Sequence, residues 1–327
     1  MSKANANANA NANANANANA NAGVSLGGLF GGTRFNSHKI GKEVINADNP
    51  AGNPIVPNKY PPYNAGWDAE HKAWVYVGQF VKKHPDWFDS LETAAKTLLT
   101  STGWPVRAPN TTQTISLSTS QQDVITKAAL ELIDASGERE DRFAEIIHQH
   151  DGEGAINYWL GMLHIDPALH PKTYLLIRVA RKLGEMTVMR LKDHFNAPRP
   201  AQLCPGIIPM LDTPGTAAYP AGHALQAYLI SYVLKMALPK VPQSEKPSGW
   251  WSDPADKSKG KATHSGLFAL SQRVAFNRVI AGLHFEIDNE AGFVLAGKIT
   301  DMLTSMLADE PFKSLVADAV KEFPQYQ

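Results

Sequence analysis

Cysteine is almost absent from this chain of 327 residues, which contains Cys204 and no other cysteine. A single cysteine excludes an intrachain disulfide and a cysteine-based zinc cluster. Excess charge is absent as well, because 31 Lys and Arg residues balance 31 Asp and Glu residues. A nucleic-acid-binding protein normally carries a basic excess or a basic stripe, and no block of this chain has one. We therefore predict no nucleic-acid partner.

The sequence also lacks a long hydrophobic run and the apolar core of a secretory signal. Its most apolar stretch, near residues 225–238, contains Gln226, Ser231 and Lys235 and is too short and too polar to span a bilayer. After Lys3 the chain only alternates Ala and Asn, which is unlike a signal peptide. These absences predict a globular, cytoplasmic protein with no membrane span.

Composition divides the chain into three regions. Residues 1–22 form a tail of alternating Ala and Asn, which buries too little apolar surface to offset the entropy of ordering it. We interpret this tail as disordered, and self-association through Asn ladders is the alternative. Residues 23–120 are predicted to be an irregular and helical N-terminal region packed on a bundle. Residues 121–327 are predicted to be the helical catalytic core, with a loop insertion at 239–263.

Apolar residues recur at helical spacing through most of the chain. A further helix is expected after Ser120, which stands three residues before Asp123 in a capping arrangement. Strand-like alternation is confined to short pieces such as residues 114–117. The sequence therefore predicts an all-α fold, a bundle of several long helices. The other predicted helices cover residues 69–83, 90–100, 138–148, 173–195, 223–238 and 267–307.

The first of three motifs lies at the end of a long predicted helix. Lys192 falls on the last helical turn, and Arg199 follows on a segment that Pro198 and Pro200 hold extended. The two cations can converge on one anion, although either one alone would simply suit the end of a helix.

The second motif reads Tyr-Pro-Ala-Gly-His over residues 219–223 and precedes an apolar helix. Pro220 and Gly222 favour a tight turn, so we expect the helix to start at about His223. The free backbone N–H groups of Gly222 and His223 would then form a binding site for an oxyanion. Taken alone, this histidine could equally be a surface residue or a helix cap.

The third motif contains Arg278, His284 and Asp288, with Gly282 expected to break the helix between the first two. Asp288 follows His284 by one helical turn, where its carboxylate can accept a hydrogen bond from the imidazole Nδ1. Nε2 would then present a lone pair to a metal or an electrophile. For this spacing alone, an ordinary surface pair is the alternative.

Together, these motifs supply groups that can hold and transform a tetrahedral oxyanion. Arginine offers paired donors, lysine a point charge, and histidine a nucleophile or an acid. The sequence resembles the type 2 phosphatidic acid phosphatase and vanadium haloperoxidase superfamily, whose pattern is Lys-x6-Arg-Pro, Pro-Ser-Gly-His and Ser-Arg-x5-His-x3-Asp. Two residues depart from it: Ala221 lacks the hydroxyl of the usual Ser, whereas Asn277, also in place of Ser, keeps an amide donor. The matching residues are Lys192, Arg199, Pro200, Pro220, Gly222, His223, Arg278, His284 and Asp288.

The resemblance implies a helical bundle of the haloperoxidase and acid phosphatase type, with one site that serves two chemistries. A vanadate-dependent haloperoxidase would bind vanadate through His284 and oxidise halide with hydrogen peroxide, helped by His223 and Lys192. A soluble phosphatase would need no cofactor; His284 would attack the phosphorus of a phosphate ester and His223 would protonate the leaving oxygen. In both cases Asp288 would orient His284. The oxyanion-binding residues would be Lys192, Arg199, Gly222 and Arg278.

Haloperoxidase activity is our first expectation. The apolar Ile287 before Asp288 and the long region before Lys192 favour it, whereas Thr216 occupies a position where haloperoxidases carry Phe or His near the halide. A soluble phosphatase is the alternative, and a non-catalytic phosphate- or vanadate-binding protein is the third hypothesis. The sequence leaves the halide or ester undefined and is compatible with a homo-oligomer.

Overall fold

The structure, a computed structural model, describes residues 67–106, 116–150, 152–238 and 266–324. The predicted tail at 1–22 and the predicted loop insertion at 239–263 lie outside these residues. So do residues 23–66 of the predicted N-terminal region and the first half of the strand-like piece at 114–117.

All regular secondary structure in the described ranges is helical, which confirms the predicted all-α fold. Short 3₁₀ turns occupy Ser136–Glu138 and Met306–Ala308. The α-helices are α1 (Ala69–Lys83), α2 (Trp87–Ser101), α3 (Thr119–Ala135), α4 (Arg139–His148), α5 (Gly152–Leu163), α6 (Pro171–Phe195), α7 (Pro200–Leu203), α8 (Gly222–Ala237), α9 (Gly266–Ile280), α10 (Glu286–Ser305) and α11 (Phe312–Lys321).

The start of α3 differs from the prediction, because Ser118 rather than Ser120 is the cap. The Ser118 Oγ accepts from the Gln121 N–H at 3.3 Å, and the Gln121 Oε1 accepts from the Ser118 N–H at 3.1 Å. This reciprocal capping box satisfies two backbone donors, whereas a cap at Ser120 paired with Asp123 would leave both of them free. The prediction of the capping residue was therefore wrong by two positions.

The predicted helical segment at 267–307 is divided into α9 and α10 at Gly282, as the glycine suggested. Gly282 has a φ of 78°, and a Cβ there would lie 3.1 Å from the Arg139 Nη2 and 3.3 Å from the Pro209 Cα. Only glycine tolerates both conditions without strain. The break places Leu283, His284 and Phe285 outside both helices, where their backbone and side chains can face the neighbouring elements.

Helices α5 and α11 were not predicted. Each is short, α5 containing glycines at 152, 154 and 161, and α11 following Pro311. Glycine and proline obscure a helical period when only about three turns are available to display it.

Helix α8 lies at the centre of the bundle and packs against α6, α9 and α10. Its closest approach is to α10, where a Cβ on Gly292 would lie 2.7 Å from the Ala224 Cβ and 2.7 Å from the Leu225 backbone nitrogen. Because His223 lies in the first turn of α8 and His284 precedes α10, this tight contact holds two of the three motifs in a fixed relation. The helices before residue 171 pack around this centre, with α1 on α6, α2 on α10, and α3 and α4 on α9.

One described helical stretch, Glu286–Ala308, is long and apolar enough to cross a bilayer. The apolar stretch near residues 225–238 lies in α8, which has 16 residues and is too short to span a bilayer. Leu295, Ile299 and Leu303 of the stretch Glu286–Ala308 are fully buried in the bundle, so core packing accounts for its composition.

Candidate active site

Direct hydrogen bonds connect the three motifs to one another. Arg199 of the first motif donates from Nη1 to the Leu283 carbonyl and contacts the His284 Nε2, each at 3.0 Å. Lys192 donates to the Ala218 carbonyl at 2.8 Å, just before the second motif. The Ala221 N–H donates to the Asp288 carbonyl at 2.9 Å. These bonds hold the three motifs next to one another, and Arg199 and His284 are in direct contact.

The tautomer of His284 follows from its two partners. An arginine side chain can only donate, so the His284 Nε2 that faces Arg199 must be the acceptor and the ring proton lies on Nδ1. That Nδ1–H donates to the Asp288 Oδ2 at 3.1 Å. The lone pair on Nε2 predicted from the sequence is present, but Arg199 covers it in this structure.

Asp288 is held in place by the backbone as well as by His284. Its Oδ2 also accepts from the Phe285 N–H at 3.0 Å, at the first turn of α10. Burial raises the pKa of Asp288, while Lys192, the Phe285 N–H and Arg199 oppose that rise. Burial also lowers the pKa of His284 well below its usual value, and Lys192, Arg199 and Arg278 lower it further. His284 is therefore a neutral imidazole of fixed orientation.

Arg199 is positioned by Thr216, whose carbonyl accepts from Nε at 3.0 Å and whose hydroxyl accepts from Nη2 at 3.3 Å. Together with the Leu283 carbonyl, these acceptors fix the plane of the guanidinium. Burial lowers the pKa of Arg199. Thr216 thus fixes the position of the Arg199 side chain.

Lys192 is almost fully buried on the last turn of α6 and donates to the carbonyls of Ala217 and Ala218. Burial lowers the pKa of Lys192 to about 7, with a further contribution from the positive charge of Arg199. Its amine is therefore near its midpoint of titration at neutral pH.

Arg278 carries the clearest indication of a missing partner in the described part of the chain. Its side chain is 1% exposed and donates from Nη2 to the Ile146 carbonyl at 2.9 Å. The Nε and Nη1 atoms are buried without a hydrogen-bond partner among the described residues. Burial lowers the pKa of Arg278 to about 10. A buried cation with two unsatisfied nitrogen donors fits an anionic ligand that is not part of the protein.

His223 lies in the first turn of α8, as predicted, and Gly222 is the first residue of that helix. The His223 Nε2 contacts the Gln149 carbonyl at 2.9 Å; since a carbonyl only accepts, this ring nitrogen carries the proton. Burial lowers the pKa of His223 to about 3, and the positive charge of Arg278 lowers it further. His223 is consequently neutral at physiological pH when no anion is bound.

Asn277 differs from its expected role as an amide donor to the oxyanion. Its Nδ2 donates instead to the Glu145 Oε2 at 3.1 Å and to the Gln149 Oε1 at 2.9 Å. Asn277 therefore ties α9 to the end of α4, next to the carbonyls that hold His223 and Arg278. The side chain of Ala221 is buried in the hydrophobic core and offers no donor.

The last turn of α4 and the residue after it were missing from the predicted site. Ile146 and Gln149 use their carbonyls to hold Arg278 and His223, from positions 132 and 74 residues distant in the chain. A backbone carbonyl is present at every residue, so no side-chain pattern could have marked these two positions.

The lowered pKa of Lys192 predicts that anion affinity falls as pH rises. Sulfate keeps its charge across the neutral range, so changes in its affinity report the protein. Above about pH 7 the amine must take up a proton when the anion binds, and we expect the sulfate dissociation constant to rise by up to about tenfold per pH unit. Isothermal titration calorimetry at a series of pH values measures this slope.

Lys192→Met should bind sulfate more weakly and with a flatter slope above neutrality. Lys321→Met is the matched control, because Lys321 is an exposed lysine at the end of α11 and should leave the curve unchanged. A steep slope that persists in Lys192→Met would assign the titration to another group.

Comparison with known proteins supports a family assignment. No curated protein matches this chain. The family model of the PAP2 superfamily matches residues 173–310. That segment contains every residue of the three motifs, from Lys192 to Asp288, and the helices that carry them. The resemblance seen in the sequence is thereby confirmed over residues 173–310, the segment that matches the PAP2 superfamily.

Proposed function

We propose that this chain is a phosphatase-type hydrolase that cleaves phosphate monoesters through His284. PAP2 superfamily members are generally hydrolases of this type. The observation that carries the proposal is the pairing of an oriented imidazole lone pair with buried, unsatisfied arginine donors. Arg199 lies directly on the His284 Nε2, and Arg278 has two free nitrogen donors.

In the proposed first step, the His284 Nε2 attacks phosphorus and the bond from phosphorus to the ester oxygen breaks. The attack requires a lone pair on Nε2. The Asp288 carboxylate accepts a hydrogen bond from the Nδ1–H, which keeps the ring proton on Nδ1 and leaves Nε2 unprotonated. As the Nε2–phosphorus bond forms, the imidazole becomes positive and Asp288 stabilises that charge. Water then releases phosphate and restores the imidazole.

The cations act on the charge of the phosphoryl group. Lys192, Arg199 and Arg278 all have pKa values lowered by burial, which means that the site disfavours their charges when no anion is bound. A doubly negative phosphoryl group compensates these charges in a buried environment where electrostatic interactions are strong. The unsatisfied Nε and Nη1 of Arg278 are already available to the anion, whereas Arg199 must turn from the His284 Nε2 to the phosphoryl oxygens before the attack.

His223 is the proposed general acid. It is neutral in the anion-free protein, but a doubly negative group nearby raises the pKa of an imidazole and favours its protonation. The proton then passes to the leaving oxygen, and His223 can take a proton from the attacking water in the second step. Release of the Gln149 carbonyl from the ring would free the Nε2–H for this transfer.

Vanadate-dependent haloperoxidase activity is the second candidate. Vanadate is an oxyanion similar in shape and charge to phosphate, so the unsatisfied donors of Arg278 fit it equally well. His284, Lys192 and Arg199 would hold it, and the bound vanadate would supply peroxide-dependent oxidation of halide. Thr216 favours the phosphatase, because it supports Arg199 instead of presenting an aromatic ring at that position.

The two candidates are separated by one pair of assays on the purified full chain. We expect hydrolysis of 4-nitrophenyl phosphate without added vanadate, and inhibition of this activity by orthovanadate. Bromination of a dye with bromide, peroxide and vanadate should be absent. The opposite pattern would assign the haloperoxidase. Sulfate binding with neither activity would leave a non-catalytic anion-binding protein.

A further inference from the structure

We propose that an apolar cavity beside the anion site binds an aromatic ring of the substrate, so that the preferred substrates are phosphate esters of aryl or arylalkyl alcohols. This inference rests on the proposed phosphatase function and names the substrate class of that same site. Most of the residues it concerns lie outside the three motifs.

The cavity has a volume of about 200 Å³, and its described lining residues are all apolar. Trp104 and Phe195 contribute aromatic surfaces, and Val106 and Ile125 contribute aliphatic ones. An apolar cavity of roughly 150 Å³ in a protein core is enough to bind benzene. This cavity therefore has room for one ring and the carbon that would link it to a phosphate.

The cavity adjoins the anion site through shared wall residues. Ala197 and Pro198 line it and also line the cleft that contains Arg199 and Thr216. On another side, the Trp104 ring packs edge-on against the Phe285 ring, with centroids 5.2 Å apart, and Phe285 follows His284 directly. The cavity thus borders the segment that carries Arg199 and the residue that follows His284, and we place the organic group of the ester there.

Most of the cavity wall comes from outside the segment that matches the PAP2 superfamily. Trp104, Val106 and Ile125 precede residue 173, whereas Phe195 and Pro198 belong to the matched segment. The side chains proposed to bind the anion thus belong to the family segment, and the helices before it add the surface that selects the organic group. Aromatic walls favour a ring through edge-to-face and offset-stacked contacts.

Phosphonates test this inference without a chemical step. Methylphosphonate and benzylphosphonate present similar anions, but only the second carries a ring. Burial of a ring of this size is expected to make benzylphosphonate bind about tenfold to a hundredfold more tightly in isothermal titration calorimetry with the full chain. Methylphosphonate serves as the internal measure of the anion site.

Val106→Trp should fill the cavity from a half-buried wall position and reduce the affinity for benzylphosphonate to that for methylphosphonate. The affinity for methylphosphonate should stay within about twofold, because Val106 is not among the residues that hold the anion. Val106→Asn makes the wall polar without filling it and should weaken the same preference. Leu130→Trp, at an exposed position of α3, is the matched control.

The possible failures are distinguishable. If neither phosphonate binds, the proposed function is contradicted. If both bind equally well to the wild-type protein, the anion site stands and the aromatic subsite is overturned. A preference for benzylphosphonate that survives in both Val106 variants would place the ring elsewhere and overturn the inference as well.

Discussion

His284→Gln is expected to lower turnover of an aryl phosphate by about a thousandfold or more, since it removes the nucleophile of the proposed reaction. Rapid acid or base quenching during turnover should trap a phosphohistidine in the wild-type protein and none in the variant. The melting temperature should change little, because the glutamine amide can keep a hydrogen bond to Asp288 or Arg199.

Asp288→Asn should lower turnover by about a hundredfold to ten-thousandfold for a different reason. The amide lacks the negative charge that stabilises the imidazolium formed during attack, and an amide nitrogen in the place of Oδ2 would donate to the His284 Nδ1 and move the ring proton to Nε2. Nε2–H would then face the Arg199 Nη1–H, two donors 3.0 Å apart, and the lone pair needed for attack would be lost. Imidazole proton resonances measured by NMR distinguish the two tautomers directly.

Asp301→Asn is the matched control, since Asp301 is an exposed aspartate on the same helix, α10. It should retain full turnover and the wild-type tautomer of His284. Normal turnover in Asp288→Asn would show that the backbone or Arg199 orients the imidazole without the carboxylate. Full activity in His284→Gln would end the proposal of a phosphohistidine.

The features that the sequence predicted well are those that local rules determine. The spacing of His284 and Asp288 places them one helical turn apart, and Gly282 breaks the helix because its backbone is left-handed and crowded. Partners that are distant in the sequence could not be predicted. No local rule relates Arg199 to the His284 Nε2, or the Gln149 carbonyl to His223.

Substitutions within the motif show the same limit. The amide of Asn277 was expected to serve the oxyanion because serine does so in the superfamily pattern. In the structure, that amide donates hydrogen bonds to the side chains of Glu145 and Gln149, because α4 packs on α9. The chemistry of a side chain defines what it can bind, but only the packing of helices decides which partner is within reach.

Arg278→Met should separate stability from activity more strongly than any other single substitution in the site. The wild-type side chain is a buried cation with one hydrogen bond, to the Ile146 carbonyl, and with Nε and Nη1 unsatisfied. Methionine removes the cost of burying that charge and loses the one hydrogen bond. We therefore expect the anion-free variant to be within about 1 kcal/mol of the wild-type stability, or more stable.

Activity and stabilisation by anions should both fall in Arg278→Met, although the stability of the anion-free protein is retained. The loss of oriented donors to the phosphoryl group should reduce kcat/KM by about a hundredfold to a thousandfold. Saturating phosphate or vanadate should stabilise the wild-type fold by about 2.7 kcal/mol at a hundredfold excess over the dissociation constant, and most of this gain should vanish in Arg278→Met. Thermal melting with and without each anion measures both quantities.

Arg190→Met provides the comparison with an arginine that has a structural partner. Arg190 is exposed on α6 and lies over the Phe88 ring at 4.1 Å, a contact worth about 0.5–1 kcal/mol. Its loss should lower stability slightly and leave the full anion response. Strong destabilisation of the anion-free Arg278→Met would mean that the buried guanidinium supports the fold, whereas an unchanged anion response would place the oxyanion elsewhere. We expect Arg278→Met to be as stable as the anion-free wild-type protein and to have lost anion binding, because the missing partner of Arg278 is the ligand.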